Sequence, residues 1–201
     1  MSRRVHNRYA NPLRQGIYFG VFALLLALLL SAPSREIAER LDLVGSAAVL
    51  LFILSVGVIF DMIGVAAAAA DEAPFNAMAA RRIPGAIHAR RLVRNAERVS
   101  AICADVVGDT AGTIAGAAGA ALAVRLVLLD PALSGRSTLV HTGILALVAG
   151  LTVGGKAACK CAAIRRWTDI LMVVGKMMWW VEKYLRISIL QGNSSRGRRY
   201  R

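Results

Sequence analysis

Between Val99 and Leu129 the chain runs through about thirty residues that are almost all apolar or small, interrupted by two carboxylates, Asp105 and Asp109. A soluble domain has no use for such a run, whereas a bilayer core asks for roughly 20 apolar residues in a helix. At about 100° per residue, Asp105, Asp109, Gly112, Gly116, Gly119 and Ala123 share one narrow stripe, with Val107 and Ile114 opposite. Small residues let a second helix approach closely, and Gly108-x-x-x-Gly112-x-x-x-Gly116 repeats the spacing that permits it. Both acids are therefore expected on a packed face. Ionisable groups at membrane depth are costly against hydrocarbon and are functional candidates by default.

The remainder of the chain agrees with this reading. Hydrophobic residues make up 57% of the 201, more than a soluble domain usually carries. Four segments are long enough to cross: Ile17–Ala32, Leu43–Ala70, Val99–Leu129 and Leu139–Gly155. The net charge of +13 and the tail Arg196-Gly197-Arg198-Arg199-Tyr200-Arg201 invite a nucleic-acid reading, but the distribution of charge argues against it. With the amino terminus inside, 21 of the 25 Lys and Arg fall on one side: before the first span, in 71–98, or after 155. Only Arg35, Arg40, Arg125 and Arg136 lie at or near the other side. That is the positive-inside asymmetry of a multi-pass inner (plasma) membrane protein with both termini cytoplasmic. The fold class expected is all-α, with four transmembrane helices, short juxtamembrane helices and a C-terminal amphipathic helix. The bilayer is the partner, and no nucleic acid is expected.

Taken in order, residues 1–16 form a basic cytoplasmic lead and 17–155 the transmembrane domain. The first apolar run is expected to remain as an uncleaved, lipid-facing span, followed by a short amphipathic helix at Ser34–Asp42. In the second span Gly57, Asp61, Gly64, Ala68 and Glu72 share a face, with Asp61 and Glu72 about 16 Å apart along the axis. Pro74 should bend or stop this helix near Asp71–Pro74. The freed carbonyls and the carboxylates Asp71 and Glu72 suit a hard cation such as Mg²⁺ or Na⁺; alternatively these acids are a solvated helix end. Pro84-Gly85 splits Asn76–Arg98 into two short helices along the inner surface, with His88 an interfacial histidine and Asn95 the cap of the third span. The last span carries Gly143, Ala146, Gly150 and Gly154 on one face, so a tight bundle of the second, third and fourth spans is expected, dimerising through one such stripe. Residues 156–190 mix basic residues with Trp and Tyr as an amphipathic cytoplasmic helix, and 191–201 are a disordered basic tail. Cys103, Cys159 and Cys161 show no zinc-ligand spacing.

The order of these features resembles the transmembrane domain of the CNNM/CorC family over about residues 43–155. Four pieces carry the likeness: Ala70-Asp71-Glu72-Ala73-Pro74-Phe75, the basic stretch from Arg81-Arg82 to Arg94, Asn95-Ala96-Glu97-Arg98, and Gly108-Asp109-Thr110. The resemblance implies a homodimer associated with magnesium transport. Its cation site would join Glu72, at the family glutamate, to Asp109, at the family asparagine. Serines of the family motif are replaced here by Asp71 and alanines, an extra span precedes the matching region, and the family's cytoplasmic CBS pair is not expected after it.

The function expected is therefore a membrane cation transporter or cation-binding protein, with Glu72, Asp109, Asp105, Asp71 and Asp61 as metal ligands and Mg²⁺, or else Na⁺, as the ion. The alternative is a scaffold or regulatory subunit that keeps the fold and moves no ion. An enzyme is not expected: the sequence has no Ser/His/Asp constellation, phosphate loop or two-histidine metal motif, and His141 lies at the other end of the bundle from His88.

Overall fold

A computed structural model describes residues 12–130 and 135–185; the tail at 191–201, most of the lead at 1–16 and the centre of the turn after Asp130 lie outside them. Those residues are helical almost throughout, and none of them forms a strand. Three helical runs are long and apolar enough to cross a membrane: Leu43–Ala69, Ala96–Leu129 and Ser137–Arg165, with a shorter apolar stretch at Gly16–Ser31.

The first helix, α1 (Pro12–Arg40), continues through Pro33 where a separate short amphipathic helix was expected. The second, α2 (Leu43–Ala69), opens on Asp42, whose Oδ1 accepts the Gly45 N–H at 3.0 Å. This satisfies one of the amide donors that a helix start leaves without a partner. Ser46 and Ser55 donate their hydroxyls back to the carbonyls of Asp42 and Leu51, so neither carries an unpaired polar group into an apolar helix. The helix stops where Pro74 predicts: Ala70 is extended, and α3 (Ala73–Ala80) restarts with proline in its first turn. Pro84-Gly85 then separates α3 from α4 (Ala86–Arg94).

Asn95 does not cap the next helix. Its Nδ2 donates to the Arg91 carbonyl at 2.8 Å and so closes the end of α4 instead. A continuous run follows: α5 (Ala96–Ser100), a π-helical segment (Ala101–Gly108) and α6 (Asp109–Leu129). The last two helices are α7 (Ser137–Arg165) and α8 (Trp167–Leu185), so Lys156–Arg165 are the final turns of α7, not the start of an amphipathic helix.

The hub is α2, not the run around Asp105 and Asp109: α2 packs against the π segment, α6 and α7 alike, while α1 lies against α6 and the π segment. One core cluster, Leu50, Leu54, Ala115 and Val148, ties α2, α6 and α7 together near the Leu43 end. The other sits at the Ala69 end, where Ala66, Ala67, Phe75, Ala89, Ala163 and Leu171 join α2 to α3, α4, α7 and α8. Phe75 meets Trp167 there with ring centroids 5.8 Å apart.

The glycine stripes are placed differently from expectation. Within the long run Ala104, Gly108, Ala111, Ala115, Gly119 and Ala123 are buried, while Asp105 and Asp109 are exposed and Gly116 meets nothing. A π segment hydrogen-bonds from i to i+5, so each residue advances by less than the α-helical angle and the packed face is rotated away from the acids. Alanines also make as smooth a contact as the glycines that drew attention. On α7 the packed positions are Ile144, Val148, Gly155 and Ala163; Gly143, Ala146, Gly150 and Gly154 face away from the rest of the chain.

Candidate functional site

Where α2 crosses the π segment, two glycines bring the backbones together. A Cβ on Gly57 would stand 2.8 Å from Ala111 Cβ, and one on Gly64 would stand 3.0 Å from both Cβ and N of Ala104. Asp61 lies between them on the same face of α2. It is only 4% exposed, and its Oδ2 is buried with no hydrogen-bond partner. Its Cβ is 3.5 Å from the position a Cβ on Gly108 would take. A buried carboxylate oxygen left without a partner is costly, and π segments concentrate at functional sites. Asp61 is thus the one sequence-picked acid that is both buried and left unsatisfied.

The other four acids do not converge on it. Glu72 Oε1 accepts Arg94 Nε at 2.7 Å, across the break between α2 and α3. Asp71 Oδ1 accepts the Ala73 N–H at 3.3 Å and is exposed. Asp105 is exposed on the π segment. Asp109 Oδ1 takes Lys156 Nζ of α7 at 2.7 Å, with the Asp109 side chain 71% exposed and that of Lys156 19%. Among the described residues no three His, Cys, Asp or Glu side chains come together as a metal would need. In this single chain Glu72 is paired with Arg94 and Asp109 with Lys156.

Three polar groups nevertheless sit at one level of the bundle. Gly155, beside Lys156, packs on Val58, one turn before Asp61; Gly108, beside Asp109, packs on Asp61 itself. The carboxylate of Asp61 is buried between α2 and the π segment, whereas the Asp109–Lys156 pair joins α6 to α7 on the exposed side.

Two features of this end of the molecule escaped sequence reasoning. Lys156 was counted only as part of the basic charge. No sequence signal marked it: the contact of the neighbouring Gly155 with Val58 of α2 appears only in the fold. His88, read as interfacial, is buried between α4 and α8, with Nε2 3.0 Å from Glu182 Oε2 and Nδ1 unpartnered. It shares a helical face with Gly85 and Ala89, which could have marked it as a packing position.

Fold and site together define an all-helical protein with three helices of membrane-crossing length and apolarity, and with one unpartnered acid between two of them. No protein-family model, curated protein or solved structure matches the chain.

Proposed function

We propose that the chain is a four-span membrane protein that binds a cation at Asp61, working as a homodimer in the inner (plasma) membrane with both termini cytoplasmic. The single observation that carries this is the buried, unpartnered Oδ2 of Asp61 at a π-helical crossing. In this reading the apolar stretch of α1 is the first span, and the basic residues of 71–98 and beyond 155 support a cytoplasmic side for α3, α4 and α8. The outward face of α8 carries Val173, Met177, Trp180, Val181 and Tyr184, with Trp180 stacked on Tyr184. Such a stripe suits an amphipathic helix resting in the inner interface.

The donor set bears on the ion. A single buried carboxylate suits a monovalent cation such as Na⁺ better than Mg²⁺, which demands near-octahedral oxygen coordination. Mg²⁺ held by Glu72 and Asp109, as the CNNM/CorC resemblance implies, requires that Arg94 and Lys156 first release them. Ion-dependent thermal unfolding of the purified protein separates these arms, since a ligand that binds only the folded state stabilises it by about 2.7 kcal/mol at a hundredfold excess over Kd. We expect Na⁺ to raise the melting temperature of the wild type, Asp61→Asn to abolish the response and Glu72→Gln to leave it. A response to Mg²⁺ that disappears with Glu72→Gln and survives Asp61→Asn would move the site to the family positions.

A second reading has its own support. The pairing of Glu72 with Arg94 and Asp109 with Lys156 holds helices together without any ion, as a scaffold or regulatory subunit would. No ion-dependent shift and no flux in liposomes would favour it.

The homodimer draws support from α7, where a Cβ on Gly143, Gly150 or Gly154 would meet nothing within 4 Å. A second copy of the same stripe is the partner such a surface fits. Gly150→Leu then has room within one chain and is expected to give a folded monomer; a dimer that persists in the triple variant with Gly143→Leu and Gly154→Leu would rule this face out.

A further inference from the structure

Between α1, α2 and α6, towards the Leu43 end, lies a cavity of about 1170 Å³. It exceeds the roughly 300–1,000 Å³ that encloses drug-sized ligands. Its walls are aliphatic, with Leu28 of α1, Ile53 of α2 and Ala118 and Ala121 of α6 among them. Ser31, Ser46 and Arg125 gather at one end, while Thr113, at the other, turns its hydroxyl back onto the Asp109 and Thr110 carbonyls of its own helix. Arg125 Nη1 donates to Ser46 Oγ at 3.1 Å, and Ser46 is in turn tied to the Asp42 carbonyl, so the guanidinium is held at the end where α2 begins and α6 finishes.

An apolar trough with a cationic, hydroxyl-rich end matches one kind of molecule, an amphiphile with an anionic head. The geometry points to a phospholipid of the leaflet at the Leu43 end, with an acyl chain lying along α6 between α1 and α2 and its phosphate against Arg125. The inference rests on the membrane reading above and is independent of any ion at Asp61. Depth supports it. Arg125 lies four residues before the end of α6 and Ser46 three after the start of α2, which is headgroup level for helices of this length, while Ile53 and Ala118 lie where acyl chains run. Arginine presents planar N–H donors that match phosphate oxygens, and the aliphatic walls need an apolar occupant in place of water.

The test is native mass spectrometry of the full chain released from nanodiscs of mixed phosphatidylcholine and phosphatidylglycerol. We expect one phospholipid per chain to remain at activation energies that strip the others. Ala121→Trp, which fills the trough from α6, should reduce the retained lipid to background, and Leu28→Trp does the same from α1 should the first variant fail to fold. Arg125→Gln should lower the retained fraction about tenfold, the loss of a charge-assisted contact. Retention unchanged in both Trp variants, or absent in the wild type, overturns the crevice; retention unchanged in Arg125→Gln overturns the headgroup assignment. Alkaline extraction of cell membranes separates the two levels. A chain released by alkali defeats the membrane reading and the crevice with it, whereas a chain that stays in the membrane and keeps no lipid defeats the crevice alone.

Discussion

Replacing Gly175 by leucine is expected to detach α8 from the bundle. Gly175 and Gly85 meet backbone to backbone: a Cβ on Gly175 would stand 2.5 Å from the Gly85 carbonyl oxygen and 3.0 Å from the Ala89 N, and one on Gly85 2.6 Å from the Lys176 N. Neither neighbour is the end of a flexible side chain, so the clash can be relieved only by moving a helix. Gly85 is further fixed by its φ of +86°, which a residue with a side chain adopts only under strain. Overpacking a core commonly costs 1–3 kcal/mol, and a contact that cannot yield belongs at or above about 3 kcal/mol. Losing the contact also uncovers Leu171 and parts His88 from Glu182. The variant should melt lower and be cut rapidly by trypsin at Arg165 and Arg166, where the chain turns from α7 into α8. A Gly175→Leu protein with wild-type melting and wild-type cleavage would show that α4 and α8 do not pack this way.

What the residues revealed in advance follows from how local each signal was. The break near Asp71–Pro74 and the split at Pro84-Gly85 were legible because proline and glycine act through their own backbones. The long apolar runs were legible from composition, and the second and third came out within a few residues of the helices observed; α1 runs on through Pro33 to Arg40, and the last turns of α7 are basic and so look like a separate surface element. The packed face of α2 was legible in Gly57, Asp61 and Gly64, which are buried; those of the third and fourth spans were legible only in part. They depended on a π segment over Ala101–Gly108 that no residue type announces, and on the choice between glycine and alanine stripes that are equally smooth. On α7 the more conspicuous glycines turned out to point away from the chain.

The site was partly legible for the same reason. Asp61 was singled out because an acid within an apolar helix stands out locally, and it is the residue left buried and unpartnered. Glu72 and Asp109 stood out as well, but their partners, Arg94 and Lys156, lie 22 and 47 residues further along the chain. Charge counting assigns such residues to a side of the membrane and says nothing of whom they meet. An acid chosen from sequence as a metal ligand can therefore already have its cation in the fold.

That pairing gives the last prediction. On the membrane placement proposed above, Lys156→Ala should destabilise the protein by about 2–3 kcal/mol: the Asp109 carboxylate would then stand without a counter-charge at membrane depth, where a charge costs about 2.5–3.5 kcal/mol near a helix centre on insertion scales. Asp109→Asn alone should cost less, since the long Lys156 side chain can carry its ammonium towards the interface while its stem stays packed. The double variant should recover most of the loss of Lys156→Ala, as an amide needs no counter-ion. The magnitude also tests the setting of the pair. If residues 109 and 156 faced water, a surface ion pair would contribute only about 0–1 kcal/mol, and all three variants would unfold within a degree or two of the wild type. Thermal unfolding of the four proteins in the same lipid decides the matter: a large loss in Lys156→Ala that Asp109→Asn reverses places the pair in the bilayer, and three near-neutral variants place it outside.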